Sequence, residues 1–345
     1  MTFIFSLLLV IGLVVLVHEL GHFLAAKIVG IRVERFSLGF PPKIIGKQIG
    51  ETEYCLSWIP IGGYVKMAGM IDEGSNGDST LTGAPWEFMS KSAPAKILAL
   101  AGGVILNFIF AYLLFTAIIA FSPIGVSSEE PVIAEVLEGY PAAAAGLQSG
   151  DRVLEVNGSP IFTWTELGDR LRNDPGRANH VVVSRNNERI ELDLFMKSVD
   201  GGEALIGIAP VIYLRSPTVP EIITGGWGAT ARSFGLIGTS LKLLVTGKAS
   251  VKDLSGPVAI AKMSAEAAKS GLVTLMAFIA FISINIGCIN LLPLPALDGG
   301  HILVTLWEGL TRRPLSTRVR IGIQQVGLVM ILALSIFALV NDITK

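Results

Sequence analysis

The chain has 345 residues, enough for more than one domain, and 51% of it is hydrophobic against 16% charged. With a mean hydropathy of +0.61, this balance excludes an ordinary soluble protein, where about a quarter of residues carry charge, and describes a membrane protein with some soluble mass. The formal net charge of −1 gives no reason to expect nucleic-acid binding, and two distant cysteines, Cys55 and Cys288, in no metal spacing exclude a disulfide framework and are expected to remain thiols.

The first apolar run covers residues 3–29. No Lys or Arg precedes Lys27, so the basic start of a secretory signal is missing, and the run continues past the place for a cleavage site. It is therefore expected to be a retained transmembrane helix. Inside it lies Leu16-Val17-His18-Glu19-Leu20-Gly21-His22-Phe23, an H-E-x-x-H pattern. On a helix, His18 and His22 project from one face and can bind one metal ion, while Glu19 can reach a metal-bound water and take its proton. A chance match in a soluble helix would leave both histidines solvated. Apolar flanks argue against that, and a merely packed histidine pair would leave Glu19 without a purpose.

Residues 30–94 are of mixed polarity. The opening from Arg32 to Pro42 reads as extended and turn-rich, and Tyr54–Met67 as two short strands joined at Pro60-Ile61-Gly62-Gly63. Residues 72–83 read as a polar link. A second span is predicted over 95–121. Its Gly102-Gly103 would let another element approach closely, and Asn107 is polar at membrane depth, suited either to an interhelical hydrogen bond or to the site itself.

Composition turns soluble over 129–212, with alternating strands such as Val132–Val136 and His180–Ser184. The stretch Gly139–Gly158 places a small-residue helix before Gly146-Leu147, Gly150-Asp151 and a strand ending Asn157-Gly158. It resembles the core of a PDZ domain, whose groove accepts a peptide as an added strand. Only one such unit is found, and His180 is expected on its surface without a catalytic role. Residues 216–271 are intermediate in polarity and include a membrane-surface helix. The third and fourth spans are predicted at 272–294 and 322–341, with Arg312, Arg313, Arg318 and Arg320 crowding a short loop between them. By the positive-inside tendency this loop and the 30–94 segment are cytoplasmic, which puts the PDZ-like segment and both termini on the outer side.

At the end of span three stands Asn290-Leu291-Leu292-Pro293-Leu294-Pro295-Ala296-Leu297-Asp298-Gly299-Gly300-His301. Its prolines and glycines break a membrane helix, and irregular backbone at depth persists only where protein or water satisfies it. A catalytic zinc commonly takes three protein ligands. Asp298 is the preferred third, with His301 the alternative; a helix cap or a surface charge is the structural alternative for Asp298.

The ordered set of HELGH, G-G-Y-V-K-M, A-G-G-x-x-x-N, the PDZ-like insert, G-P-V-x-I-A and N-x-x-P-x-P-x-L-D-G-G resembles the site-2 protease family of regulated intramembrane metalloproteases, over nearly the whole chain. The fold expected is a polytopic α-helical membrane protein of four transmembrane helices, with a membrane-associated β-hairpin region and one inserted α+β PDZ-like domain. Its parts would be 1–128, 129–212 and 213–345. The resemblance implies a Zn2+ cofactor held by His18, His22 and Asp298, with Glu19 as catalytic base. It implies that Gly62, Gly63 and Tyr64 receive the substrate strand, and that Asn290, Pro293 and Pro295, with Asn107, hold the substrate near the metal. Partners would be transmembrane protein or peptide substrates, such as anti-sigma factors or signal-peptide remnants, cut earlier by another protease and filtered by size at the PDZ-like domain. The location implied is the bacterial cytoplasmic membrane, in contact with the lipid bilayer and with no nucleic acid. One PDZ-like unit departs from the tandem pair of enterobacterial members. A PDZ-bearing adaptor and a metal transporter are the rival readings. Glu19 has no use in the first, and no further His or carboxylate marks a path across the bilayer for the second.

Overall fold

A computed structural model describes residues 2–70, 82–172, 178–195, 206–248, 256–313 and 315–344; most of the expected 72–83 link lies outside them. The chain forms two compact units, one of Met1–Ile119 with Val219–Lys345, the other of Ala120–Thr218.

The first unit holds helices α1 (Thr2–Ile28), α2 (Ala93–Phe121), α5 (Val219–Val245), α6 (Pro257–Lys269), α7 (Leu272–Asn290), α8 (Asp298–Thr311) and α9 (Thr317–Thr344), with strands β1 (Val33–Ile49) and β2 (Thr52–Met67). Four of these helices, α1, α2, α7 and α9, are long and apolar enough to cross a membrane. Their ends follow local chemistry. Gly30 takes the left-handed backbone just past α1, Pro94 sits in the first turn of α2, and Pro293 follows the end of α7.

Between the last two spans the structure departs from the predicted loop. Helix α8 fills most of it, and Arg318 and Arg320 belong to α9. Arg320 is buried, its guanidinium 2.7 Å from Glu308 of α8. The charge run had suggested solvent, but one of its members is paired inside the fold. The G-P-V segment also finds its reason here. Asp342 of α9 accepts hydrogen bonds from the N–H groups of Gly256, Val258 and Ala259, each at 3.0 Å, and so caps the start of α6 with a carboxylate. A Cβ on Gly256 would come within 2.6 Å of Ala338 O. Helix α6 in turn packs along α1.

The hairpin differs from the expected one. Its tight turn lies at Gly50-Glu51, and Tyr54–Met67 falls within the single strand β2. The two halves of β2 do not pair with each other, because β1 lies between them. Phe36 pairs with both Tyr54 and Val65, Ser37 with Cys55 and Tyr64, and Leu38 with Leu56 and Gly63. Alternating polarity predicts that both halves are extended but cannot show that the strand between them comes from residues 33–38. Among the described residues, 63–67 pairs only with β1 and so presents an open sheet edge.

The second unit contains β3 (Ile124–Ser127), β4 (Ile133–Val136), α3 (Pro141–Ala144), β5 (Arg152–Val156), β6 (Ser159–Pro160), α4 (Trp164–Arg172), β7 (Ala178–Arg185), β8 (Glu188–Phe195), β9 (Ile208–Pro210) and β10 (Ile212–Arg215). Strands β6-β5-β7-β8 form one antiparallel sheet, and β4 pairs with β9 and β3 with β10. The inward residues Ile133, Val153, Val156, Leu167, Val181 and Leu194 make its core. His180 is half-exposed, beside Asp193 and Glu191. Asp151 of the G-D pair is fully buried and takes Arg185 in a two-pronged contact at 2.7 and 2.8 Å, with Gln148 N at 2.9 Å. Removing one partner of such a pair strands the other. Asp151→Ala is therefore expected to destabilise this unit by on the order of 3 kcal/mol. The measurement is limited proteolysis of the full chain, where cleavage inside 120–218 should accelerate; unchanged protection would show that the pair adds nothing.

Candidate active site

The H-E-x-x-H stretch lies on α1, and its spacing puts both imidazoles on one face, edge to face with centroids 4.7 Å apart. Both rings are buried. They can sit there because α2 crosses at glycine. The backbones of Gly21 and Gly102 touch, a Cβ on Gly102 would lie 2.6 Å from Ala25 Cβ, and a Cβ on Gly103 would lie 2.6 Å from His22 Nε2 and 2.7 Å from His18 Cε1. Small residues here allow close helix approach.

The third group arrives from the broken end of α7. Ala296 adopts a left-handed backbone (φ +67°), which turns the chain into α8 with Asp298 as its first residue. Gly299 and Gly300 pack on the backbone of Leu291–Pro295; a Cβ would come within 2.6 Å of Leu291 C in one case and 2.8 Å of Leu294 C in the other. The D-G-G sequence thus folds α8 tightly back and delivers its carboxylate to α1.

His18 Nε2 and His22 Nε2 are 3.1 Å apart, and Asp298 Oδ2 lies 3.1 Å from the first and 3.4 Å from the second. A four-coordinate zinc with ligand bonds of about 2.1 Å separates its ligands by about 3.4 Å. Asp298 Oδ2 is buried and makes no well-formed hydrogen bond. His22 Nδ1 lies 3.0 Å from Ala99 O, an acceptor only, so Nδ1 carries the proton and Nε2 offers its lone pair. Two nitrogens and one oxygen with free electron pairs converge on one point, and the donor set fits a divalent zinc ion.

A cavity of about 490 Å³ opens beside this point, lined by Glu19, Gly62, Gly63, Tyr64 and Asn290 among others. The Glu19 carboxylate faces the backbone of Val65 on the open edge, and a Cβ on Gly63 would lie 3.0 Å from Glu19 Cγ. Gly62 has φ +120° and lies against the Phe40 ring, which any side chain there would strike. Phe40 stacks on Tyr64, and the Tyr64 hydroxyl is 3.2 Å from Arg35 Nη1. Arg35 is braced by Glu53, whose carboxyl is held below its usual range by Lys43 and Arg35.

The remaining expected residues lie elsewhere. Asn290 Nδ2 is 3.2 Å from His18 Nε2. Pro293 and Pro295 are not among the cavity's lining residues, and Pro295 packs on Gly327 of α9. Asn107 is fully buried behind His18 rather than lining the cavity. His301, one turn along α8, lies against Pro295, Arg320 and Gln324 and outside the donor cluster. Gly21 and Arg35 support the site but carry no chemistry-bearing pattern; the only signal for Gly21 was a small residue between the ligating histidines, matching the Gly pair of α2.

Residues 6–334 match the model of peptidase family M50. The chain is 29% identical to zinc metalloprotease RasP of Bacillus licheniformis, over 100% of this chain and 99% of that protein. It is 28% identical to the regulator of sigma-W protease RasP of Bacillus subtilis, over 99% and 98%, and 34% identical to a Clostridium acetobutylicum protein named as a zinc metalloprotease, over 97% and 96%. Among solved structures, the PDZ domain of an SdrC-like protein from Listeria monocytogenes covers 26% of this chain and 94% of its own, at 22% identity and a TM-score of 0.22. With its H-E-x-x-H helix and its D-G-G loop inside the matched span, the chain belongs to peptidase family M50, the site-2 class of zinc metalloproteases.

Proposed function

We propose that the protein is an intramembrane zinc endopeptidase that hydrolyses peptide bonds within or beside transmembrane segments of other proteins. The observation that carries this reading is the convergence of His18, His22 and Asp298 within 4.8 Å of one another, beside Glu19 and an unpaired strand edge, among helices apolar enough to span a bilayer.

In this reading His18, His22 and Asp298 hold the metal. Bound zinc supplies Lewis-acid polarisation of the scissile carbonyl and lowers the pKa of a water. Glu19 accepts the proton of the attacking water and returns it to the leaving amine. Residues 63–67 pair with the substrate as an added strand. That pairing addresses a specific cost, since a helical substrate hides its peptide bonds and an unwound polar group in lipid costs several kcal/mol if left alone. Asn290 and Tyr64 line the same cavity and contact the extended segment. Pro293 and Pro295 act at one remove, by shaping the loop that carries Asp298.

The charge distribution places β1, β2 and the α8–α9 junction on the cytoplasmic face of a bacterial inner membrane and residues 129–212, read as a single PDZ-like domain, on the outer face, where they restrict access by substrate size. Membrane-bound substrates already shortened by another protease suit such a filter, and anti-sigma factors and signal-peptide remnants are the classes to try first.

Purified protein should contain about one zinc per chain and cleave a single-span substrate. Gly- or Pro-containing substrate helices should be cut at least about tenfold faster than rigid Leu-rich ones, which corresponds to little more than one unpaired backbone group. Equal rates would defeat the strand-addition account, and a well-folded chain without metal would defeat the site.

A further inference from the structure

We propose that Asn107 is a positioning residue that fixes His18 for the metal, an inference that rests on the zinc reading above. The two imidazoles are addressed from one helix. Ala99 O of α2 lies 3.0 Å from His22 Nδ1, and one turn beyond Gly103 the Asn107 amide lies 3.3 Å from His18 Nδ1. Gly103, between them, is the residue whose missing side chain leaves room for both rings.

For His18 Nε2 to offer a lone pair to a metal, the ring proton must sit on Nδ1, and Nδ1–H then needs an acceptor. Asn107 is the group at that position. With the amide nitrogen toward the ring, Oδ1 is buried and has no hydrogen-bond partner. A half-turn of the amide, whose two ends are nearly the same shape, brings Oδ1 to Nδ1 and gives His18 the same tautomer that Ala99 gives His22. The Asn107 side chain is fully buried and does not line the cavity, so it has no route to the substrate. Its backbone is held separately, since Ser283 Oγ of α7 donates to Asn107 O at 2.9 Å. The helix-to-helix bond and the amide-to-imidazole bond are therefore separable by mutation.

The test is zinc affinity of the full-length detergent-purified protein, by competition with a chromogenic chelator, read independently of proteolysis. Asn107→Leu is expected to weaken zinc binding about 10- to 100-fold. Asn107→Asp, which keeps an acceptor at Nδ1, should restore most of it, and Ser283→Ala should leave it unchanged. If the leucine variant fails to fold, Asn107→Ala carries the same comparison. Wild-type affinity in Asn107→Leu, or equal losses in the Leu, Asp and Ser283→Ala proteins, would overturn the role while leaving the zinc site standing. Absence of zinc from folded wild type would instead overturn the metal reading itself.

Discussion

A Glu19→Gln protein is expected to keep its zinc and lose its proteolysis. Glu19 is the carboxylate nearest the donor cluster that is not part of it, and it reaches the cavity where the strand edge of Gly63 and Val65 passes. The amide has the same shape and can still accept a hydrogen bond, but it cannot take a proton. General-base catalysis contributes about 10²- to 10⁴-fold, so cleavage of a single-span substrate should fall by at least that order while metal content stays near one per chain. Each departure has a meaning. Activity within about tenfold of wild type would leave less than 1.4 kcal/mol for the base, too little for the assigned role. Loss of zinc would make Glu19 a ligand and would reopen the role of Asp298. Zinc retained with cleavage absent separates this enzyme from an adaptor or a transporter, whose activity would survive the change.

The spans and the site were readable from the sequence to different depths. Apolar runs of membrane-crossing length have few alternative structures, and the predicted spans fall on α1, α2, α7 and α9 with shifts of a few residues at the ends. The H-E-x-x-H pattern needs only local helix geometry. Asp298 is 276 residues beyond His22, and nothing in its neighbours' spacing measures its distance to α1; only the family's order of motifs pointed there, and the loop geometry at Ala296, Gly299 and Gly300 explains how it arrives. The β-region went further astray because strand partners are a tertiary property. Alternation marked 54–67 as extended, but the pairing of Phe36 with both Tyr54 and Val65 depends on contacts that no local pattern encodes. Helix α8 was hidden by its own composition, since the arginines beyond it suggested a solvated loop while Glu308 and Arg320 pair within the fold. Asn107 was seen as polar at depth, and its position, one turn past the glycine that faces both histidines, supplies the reason.

Gly103→Ala is expected to disable the site without touching a ligand, a base or the substrate. A single methyl group there would sit 2.6 Å from His22 Nε2 and 2.7–2.8 Å from two atoms of the His18 ring, closer than packed atoms tolerate. Either the rings turn, taking their lone pairs off the common point, or α2 moves away from α1 and draws Ala99 and Asn107 from the outer nitrogens. Overpacking of this kind costs about 1–3 kcal/mol. Concentrated on the donor set, it corresponds to roughly 5- to 150-fold weaker zinc binding, with proteolysis falling at least in proportion at limiting metal. Gly12→Ala on the same α1 is the control, because a Cβ there meets nothing within 4 Å and both affinity and activity should be kept. If Gly103→Ala bound zinc as tightly as wild type, the close crossing of α1 and α2 would not be what holds the two histidines in register. The Gly-Gly pair would then serve only helix association, which a crosslinking comparison of the two helices would register as unchanged.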